Sequence, residues 1–314
     1  MDLSIIIVNW NSVEFLKKCI SSIRAETHSI EYEIIVIDSA SFDGCEEMLY
    51  ENFPEVIFIQ SQENVGFARA NNHAFGHSCG RSVLFLNPDT EIEGSAINII
   101  YTYLRKLPKT GALGCKLLNS DRSIQTSCIQ SFPTILNQVL DSEYLRLRFP
   151  KSSLWGTASL FENKSEPSLV DAISGACIMM DRDVFEQIGK FSEEYFMYTE
   201  DIDLCYETRQ AGYLNYYLPE ATVIHHGGGS SQEAKSNFAV VMMCQSMYTF
   251  LMKTKGHSYA WCYRLSMLFN ALLRLFILLI SCVGFKRQKM NSINKWQAVL
   301  QWTFNKNELI KEYC

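Results

Sequence analysis

Three groups of polar residues follow apolar runs that have the pattern of buried strands. The first contains Asn9 and Asn11, the second contains Asp38, and the third contains Asn87 and Asp89. Ligands of open α/β sheets bind outside the carboxyl ends of the strands, so these groups are expected to line one crevice. Carboxylates there can hold a hard cation or accept hydrogen bonds from a nucleobase or a sugar hydroxyl. A simple turn at each strand end is the alternative.

A further set of carboxylates lies in the stretch YTEDIDLC, residues 198–205. Glu200, Asp201 and Asp203 stand close to the start of a predicted helix. Acidic residues at a helix N-terminus interact favourably with the helix dipole, which is one interpretation of the stretch. Three carboxylates exceed what capping requires, so the stretch also offers a candidate general base.

The stretch ENVGFARANN, residues 63–72, combines a glycine with cationic and amide side chains. Gly66 permits a close approach of the backbone to another group. Arg69 can either pair with a diphosphate or lie solvated on the surface. Asn72 is a poor choice for a helix interior, which indicates that it makes a specific hydrogen bond.

The stretch VIHHGGGSS, residues 223–231, places two histidines before three glycines. If the segment is a strand, the side chains of His225 and His226 point to opposite sides. Only one of them can then face a ligand site, and a structural role is the alternative for an isolated histidine pair.

The elements that position these residues alternate between strand and helix over the first hundred positions. Apolar runs predict strands at 3–10, 32–39, 55–60 and 82–87. Intervening patterns predict helices from residue 11, at 43–51 and at 66–77. Such alternation implies a parallel sheet with right-handed crossovers. The first helix is expected to begin at Asn11, with Glu14 completing a capping box.

The regular alternation of strand and helix patterns ends after Asp89. The predicted elements are a helix at 95–106, strands at 111–119 and 123–130, a loop-rich region at 133–168, a strand at 172–180, helices from 181 and at 199–213, and strands at 213–219 and 221–226. Beyond residue 229 the pattern is helical.

Composition limits the classes of function. The 314 residues carry a formal net charge of -6, which argues against a nucleic-acid binder because such domains usually have a basic face. The eleven cysteines form no C-x-x-C pair, as expected for free thiols in the cytoplasm. The N-terminus lacks the pattern of a signal peptide. Neither G-x-G-x-x-G nor a Walker motif follows the first strand, so any nucleotide must be held differently.

Residues 265–285 are strongly apolar but are interrupted by Arg274. A central arginine is costly in a spanning helix, and basic residues flank the segment. We interpret it as a helix on an anionic membrane surface, with a buried core helix as the alternative. Whether the segment spans or lies on the membrane stays open.

Six segments that follow one another along the chain resemble family 2 of the glycosyltransferases, which are inverting enzymes with the Rossmann-like GT-A fold. The resemblance is to bacterial rhamnosyltransferases in particular. The six segments are SIIIVNWNS, VIDSASFDG, ENVGFARANN, FLNPDTEI, the run from Ser174 to Tyr213, and VIHHGGGSS. The resemblance implies a GT-A domain at residues 1–231 with a mostly parallel sheet, and a helical extension at 232–314. It also implies a nucleoside-diphosphate sugar donor, linked to dTDP or UDP, and a divalent metal, Mn²⁺ or Mg²⁺.

The resemblance further implies roles for individual residues. Asp201 is the expected catalytic base, and Asp89 and His225 are the expected metal ligands. Asn87 replaces the first carboxylate of the usual D-x-D motif, which leaves the strictness of metal dependence open. The expected nucleotide-sugar contacts are Asn9, Asn11, Asp38, Asn64, Gly66, Arg69, Asn72, Asn87 and Asp89. The expected contacts near the acceptor or the donor sugar are Gly175, Glu200 and Asp203.

The function that this resemblance implies is transfer of a sugar, rhamnose first, to a lipid-linked saccharide at the inner face of the cell membrane. A galactofuranose or hexose nucleotide is an alternative donor. A non-catalytic scaffold that binds a sugar nucleotide is a second alternative, favoured only by the missing first carboxylate.

Overall fold

The computed structural model describes residues 1–140, 166–227, 237–280 and 286–304. These residues form two compact units, and each is described by itself. The first unit comprises residues 1–132, 166–196 and 200–227, and the second comprises residues 133–140, 197–199, 237–280 and 286–304. The predicted domain boundary at 231, the last two glycines of VIHHGGGSS and most of the predicted loop-rich region lie outside the described residues.

The first unit is built on a sheet covered by helices. Its strands are β1 (Leu3–Asn9), β2 (Tyr32–Asp38), β3 (Ile57–Gln60), β4 (Ser82–Leu86), β5 (Thr90–Glu93), β6 (Thr110–Leu118), β7 (Ile129–Gln130), β8 (Ser168–Val170), β9 (Ala172–Ile173), β10 (Cys177–Asp181) and β11 (Leu214–His225). Its helices are α1 (Val13–Glu26), α2 (Cys45–Asn52), α3 (Phe67–Phe75), α4 (Ala96–Lys106), α6 (Arg182–Gln187) and α7 (Glu200–Gln210).

The strand order of the main sheet is β3-β2-β1-β4-β10-β6-β11-β5, with β8 paired to β11, and β7 pairs with β9 in a separate two-stranded sheet. The first four strands are mutually parallel, and β10 runs antiparallel between β4 and β6. Strands β1, β2 and β4 are almost wholly buried, as expected for apolar runs covered on both faces. The predicted mostly parallel α/β architecture is therefore confirmed, with antiparallel insertions.

The register of the parallel strands aligns their polar ends. Asn9 lies opposite Asp38, and Asp38 lies opposite Gln60. Because these residues end their strands, their side chains collect at one edge of the sheet, as the sequence predicts.

The predicted start of the first helix is wrong. Helix α1 begins at Val13, and Ser12 in the N-cap position makes no side-chain capping bond. Instead, one carboxylate oxygen of Asp43 accepts the backbone N–H groups of Ser12 and Val13, at 2.8 and 3.0 Å. Asn11 is exposed with φ 50° in the preceding turn, so the cap comes from thirty residues downstream rather than from a local capping box.

Three other predictions about strands need correction. The runs 213–219 and 221–226 form one strand, β11, which continues through a register shift between Leu218 and Thr222. Most of 123–130 is not strand, since a 3₁₀ turn occupies Thr126–Cys128. The run 172–180 divides into β9 and β10 around Gly175.

The second unit is helical, as predicted. It contains α5 (Ile135–Val139), α8 (Asn237–Lys255), α9 (His257–Ile280) and α10 (Lys286–Phe304). Trp302 of α10 is buried against Tyr248 of α8 and Tyr263 of α9, with ring centroids 6.3 and 6.1 Å apart.

Helix α9 has two different faces. One face is buried and carries Tyr263, Met267 and Ala271. Arg274 lies near this face, 5.5 Å from the ring of Trp296 in α10. The other face exposes large apolar side chains, namely Trp261, Leu265, Phe269, Leu272, Leu273, Phe276, Ile277, Leu279 and Ile280. By length and composition, α9 could also cross a membrane.

Candidate active site

Asp89 and His225 lie together at the edge of the sheet. After β4 the chain turns so that the carbonyl oxygen of Asn87 accepts the Thr90 hydroxyl at 2.7 Å, and Thr90 pairs with His225 across β5 and β11. This pairing leaves His225 Nε2 3.3 Å from Asp89 Oδ1. The Asn87 Nδ2 atom is also 3.3 Å from the same imidazole nitrogen.

The second imidazole nitrogen of His225 has a separate partner. Its Nδ1 lies 2.7 Å from Gln125 Oε1. His226 contacts other groups, with Nδ1 2.8 Å from the Ser120 hydroxyl and Nε2 2.8 Å from Glu91. The two histidines therefore face different surroundings, as strand alternation predicts.

Asp89 and His225 fit one side of a divalent-metal shell. Neighbouring ligands of an octahedral ion with bonds of about 2.1 Å lie about 3.0 Å apart, close to the 3.3 Å separation of the two ligand atoms. Among the described residues no group of three or more His, Cys, Asp or Glu side chains could hold a metal ion. Mg²⁺ is usually held by one or two carboxylates, with substrate phosphates and water completing the shell. Asp89 would supply one such carboxylate, and the imidazole of His225 would be a softer second ligand.

Asp38 is buried at the centre of a hydrogen-bond network. Its carboxylate accepts from the backbone N–H groups of Ser41 and Phe42 and from the side chains of Asn9, Ser41 and Gln60. Burial acts to raise the pKa of Asp38, but these hydrogen bonds outweigh it and hold the pKa below its ordinary value. Asp38 is therefore an ionised anchor of the strand ends, and its contact with a base or ribose stays a prediction.

Asp43 is a site residue that the sequence analysis missed. Besides capping α1, its carboxylate accepts from Asn9 Nδ2 at 3.1 and 3.2 Å. Asn9 therefore donates to both Asp38 and Asp43, while its own Oδ1 is buried without a hydrogen-bond partner among the described residues. The only sequence signal was an aspartate five residues after Asp38 in the same turn, and local capping patterns do not register such a distant cap.

Asn64 and Gly66 shape the entrance to α3. The Asn64 side-chain oxygen accepts from the Ser39 hydroxyl and the Gly66 N–H, both at 3.1 Å. Gly66 has φ 82°, and a Cβ atom there would lie 2.2 Å from the carbonyl oxygen of Phe196. The close approach predicted for Gly66 is therefore made to another backbone segment.

Arg69 and Asn72 face the segment 191–193. Asn72 donates to the Phe191 carbonyl at 2.8 Å and accepts the Phe191 N–H at 3.1 Å. The specific hydrogen bonds expected of Asn72 are thus made to protein backbone. Arg69 is exposed, with Nε 3.7 Å from Glu193, and the structure does not bring either residue to the Asp89 cluster by a described contact.

Asp201 is held by backbone donors at the start of α7. Its Oδ2 accepts the N–H of Gly175 and its Oδ1 accepts the N–H of Ile202, both at 2.8 Å. A Cβ atom at Gly175 would lie 3.3 Å from the Asp201 Cβ, so the glycine keeps the approach open. Burial raises the pKa of Asp201 above its ordinary value, although both hydrogen bonds oppose the shift.

Glu200 is buried next to Asp201. Burial and then the charge of Asp201 raise the pKa of Glu200 to about 8, so at neutral pH it is largely a neutral acid. Its Oε2 has no hydrogen-bond partner within the described residues. Asp203 has a different role, since its Oδ1 accepts the Tyr195 hydroxyl at 3.2 Å and so joins α7 to the preceding segment.

A backbone hydrogen bond links the neighbourhood of Asp89 and His225 to that of Asp201. The Asn87 N–H donates to the carbonyl of Ala176 at 3.0 Å. Ala176 follows Gly175, whose N–H binds Asp201. The sheet therefore brings Asn87, next to the candidate metal ligands, and Asp201, the candidate base, to neighbouring positions along one edge.

Comparison with known proteins agrees with this architecture. The model of the family Glycosyl transferase family 2 matches residues 4–189. An N-acetylglucosaminyl-diphospho-decaprenol L-rhamnosyltransferase of Mycobacterium tuberculosis is 29% identical over 242 residues, covering 73% of this chain and 77% of that protein. The low-salt glycan biosynthesis hexosyltransferase Agl10 of Haloferax volcanii is 31% identical over 213 residues, covering 67% of this chain and 62% of that protein.

Among solved structures, the chain is similar to the mannosyltransferase PcManGT from Pyrobaculum calidifontis, solved in complex with GDP-Man and Mn²⁺. The TM-score is 0.61 at 14% identity, covering 98% of this chain and 88% of that chain. At that identity the likeness concerns the fold, which is the GT-A fold.

Proposed function

Because the chain belongs to family 2 of the glycosyltransferases, we propose that it transfers a sugar with inversion from a nucleoside diphosphate to a hydroxyl of a lipid-linked saccharide. Rhamnose is the first choice of sugar, since the M. tuberculosis relative is named a rhamnosyltransferase acting on a diphospho-decaprenol. A hexose nucleotide is the second candidate, favoured by the hexosyltransferase Agl10. Candidate donors are linked to dTDP or UDP.

The observation that carries the proposal is the environment of Asp201. Its two oxygens accept one backbone N–H each, so the carboxylate is oriented and still has a lone pair on each oxygen. Burial raises its pKa, which makes it a stronger base than an exposed aspartate. General-base assistance of this kind is typically worth about 10²–10⁴-fold in rate.

In the proposed reaction one bond forms and one breaks at the anomeric carbon, and one proton moves to Asp201. Asp201 takes the proton of the acceptor hydroxyl while the hydroxyl oxygen bonds to the anomeric carbon. The bond from that carbon to the donor diphosphate breaks on the opposite face, through a transition state with oxocarbenium character like that of glycoside hydrolysis. Neutral Glu200 beside the base adds no second negative charge at neutral pH.

Asp89 and His225 are the residues that would hold a divalent cation, Mn²⁺ or Mg²⁺, with the donor diphosphate. Bound there, the cation would neutralise the charge that develops on the leaving diphosphate. Asn87, in place of a first carboxylate, offers an amide donor to the same region. The remaining strand-end groups around Asp38 and Asn9 would face the nucleotide.

The test of the base is Asp201→Asn with Asp183→Asn as a matched control. Asp201→Asn should reduce transfer by about 10² or more while calorimetric binding of the donor nucleotide stays within a few-fold. Asp183→Asn should retain most of the transfer, since Asp183 is an exposed aspartate in the first turn of α6. Substantial transfer by Asp201→Asn would remove Asp201 from the role. Nucleotide binding without any transfer in wild type would favour the non-catalytic scaffold that binds a sugar nucleotide.

We also propose that the enzyme works at the cytoplasmic membrane face, with α9 on the lipid surface. The exposed side of α9 carries nine large apolar side chains, from Trp261 to Ile280. Residues 234–307 contain ten Lys and Arg and no Asp or Glu, within a chain that has 28 basic and 34 acidic residues. An apolar face within a cationic segment suits an anionic bilayer surface. Packing of Arg274 against Trp296 favours a surface position over a spanning one.

A further inference from the structure

We propose that Gln125 is a positioning residue that fixes the tautomer of His225, so that the lone pair of Nε2 faces Asp89. The inference rests on the proposed function, because it concerns the side of His225 that would bind the cation. Gln125 lies outside the six segments that resemble the family.

The orientation of the Gln125 amide follows from its neighbours. Its Nε2 donates to Asn119 Oδ1 at 3.1 Å. The Ser123 hydroxyl donates its hydrogen to the Asp121 carboxylate, so it accepts from Asn119 Nδ2 at 2.9 Å. The Asn119 oxygen is therefore the atom available to Gln125. The network therefore assigns Gln125 Oε1 to the side that faces His225.

That assignment determines where the imidazole carries its proton. A carbonyl oxygen only accepts hydrogen bonds, so the 2.7 Å contact with Gln125 Oε1 requires a hydrogen on His225 Nδ1. A neutral imidazole has one N–H, and its other nitrogen is then an acceptor. His225 Nε2 consequently accepts from Asn87 and stands 3.3 Å from the carboxylate of Asp89.

Two acceptor atoms that face each other attract a cation. Metal-bound histidines commonly donate their second N–H to a carbonyl or carboxylate, and loss of that partner typically lowers metal affinity by about 10–100-fold. Gln125 supplies such a carbonyl and is itself anchored, since its N–H donates to the Leu117 carbonyl at 2.9 Å. Its position is therefore fixed by the sheet before any ligand binds.

The experiment uses the full chain labelled with ¹⁵N-histidine, without metal, at pH 8. Long-range ¹H–¹⁵N correlation should give His225 as the Nδ1–H tautomer, with its signal assigned by its loss in His225→Gln. Gln125→Leu should shift the ring towards the Nε2–H form and weaken Mn²⁺ binding about 10–100-fold, measured by calorimetry in the presence of UDP or dTDP. Gln125→Glu keeps an acceptor and should retain the wild-type tautomer. Gln62→Leu, at an exposed glutamine, is the matched control and should change neither reading.

The outcomes separate this inference from the proposed function. An Nε2–H or doubly protonated ring in wild type, or an unchanged tautomer in folded Gln125→Leu, would overturn the role of Gln125. If Gln125→Leu does not fold, the Gln125→Glu and wild-type spectra still decide the tautomer. If the wild-type tautomer is as expected but Mn²⁺ binds to no nucleotide complex, the metal part of the proposed function fails while the positioning role stands.

Discussion

The double variant Phe276→Ser and Leu279→Ser should bind anionic vesicles much more weakly than wild type while staying folded. The two side chains lie on the exposed face of α9, where they are 59% and 75% exposed. Because neither contributes much to the buried core, the melting temperature of the double variant should stay close to that of wild type. The loss should therefore appear in membrane binding alone.

The expected size of the loss follows from the exposed fractions. Transfer of a whole Phe or Leu side chain from water to an apolar phase is worth roughly 1.5–3 kcal/mol. Scaled by exposure, each side chain contributes about 1–2 kcal/mol, and the pair about 2–4 kcal/mol. The partition coefficient should therefore fall roughly 30- to 800-fold.

The assay is sedimentation with vesicles that contain about a third phosphatidylserine, compared with neutral vesicles. Tyr50→Ser is the matched control, because Tyr50 is a large side chain that is 82% exposed in α2 of the other unit. An unchanged partition coefficient in the double variant would refute the assignment of α9 to the lipid surface. An equal loss in Tyr50→Ser would show that the effect is not specific to α9.

Three further changes test other parts of the fold. Asp43→Ala should lower the free energy of unfolding in urea by about 1–2 kcal/mol, because the first N–H groups of α1 lose their cap, and Asp43→Asn should lose less. Gly66→Ala should lower the melting temperature, since the glycine-only backbone conformation is worth roughly 1–3 kcal/mol and the new Cβ would overlap the carbonyl of Phe196. Burial raises the pKa of Glu200 to about 8, whereas the unfolded chain releases this proton near about pH 4.3. The free energy of unfolding of wild type should therefore fall as the pH rises from about 4.3 to about 8. Urea unfolding of Glu200→Gln at a series of pH values should show a flatter dependence over this range.

Contrary results would be equally specific. Equal stability of Asp43→Ala and wild type would mean that α1 does not depend on its distant cap. A Gly66→Ala variant with an unchanged melting temperature would contradict the close approach to Phe196. A pH profile that Glu200→Gln leaves unaltered would show that Glu200 is ionised in the native state at neutral pH.

Apolar runs predicted the sheet well because burial on both faces leaves a direct mark on composition. Strands β1, β2 and β4 and the meeting of their polar ends could be read from the sequence. Strand β5 could not, because Thr90–Glu93 is only four residues long and depends on pairing with β11. The predicted strand end at Pro219 was wrong, because β11 continues past this residue through an irregularity in register.

The candidate site was predicted where chemistry and position coincide. Asp89 and His225 were each predicted as metal ligands. The structure brings their side chains together, while their binding of a metal stays a prediction. Gln125 and Asp43 were missed, since no local sequence pattern indicates the residues that each of them contacts. Asn72 was expected to make specific hydrogen bonds, but no local pattern distinguishes a ligand from the backbone of Phe191.

The segment 191–196 is hydrogen-bonded both to helix α3 and to helix α7, which carries the candidate base. At one end Phe191 is bonded to Asn72, and near the other Phe196 accepts the N–H of Phe67 at the start of α3. Between them Tyr195 donates to Asp203 in the helix that carries the candidate base. A donor that displaces this segment would change the affinity for the acceptor, and the acceptor would change donor affinity by the same factor. In the proposed reaction, the affinities for the two substrates would then depend on a few hydrogen bonds that touch neither reacting atom.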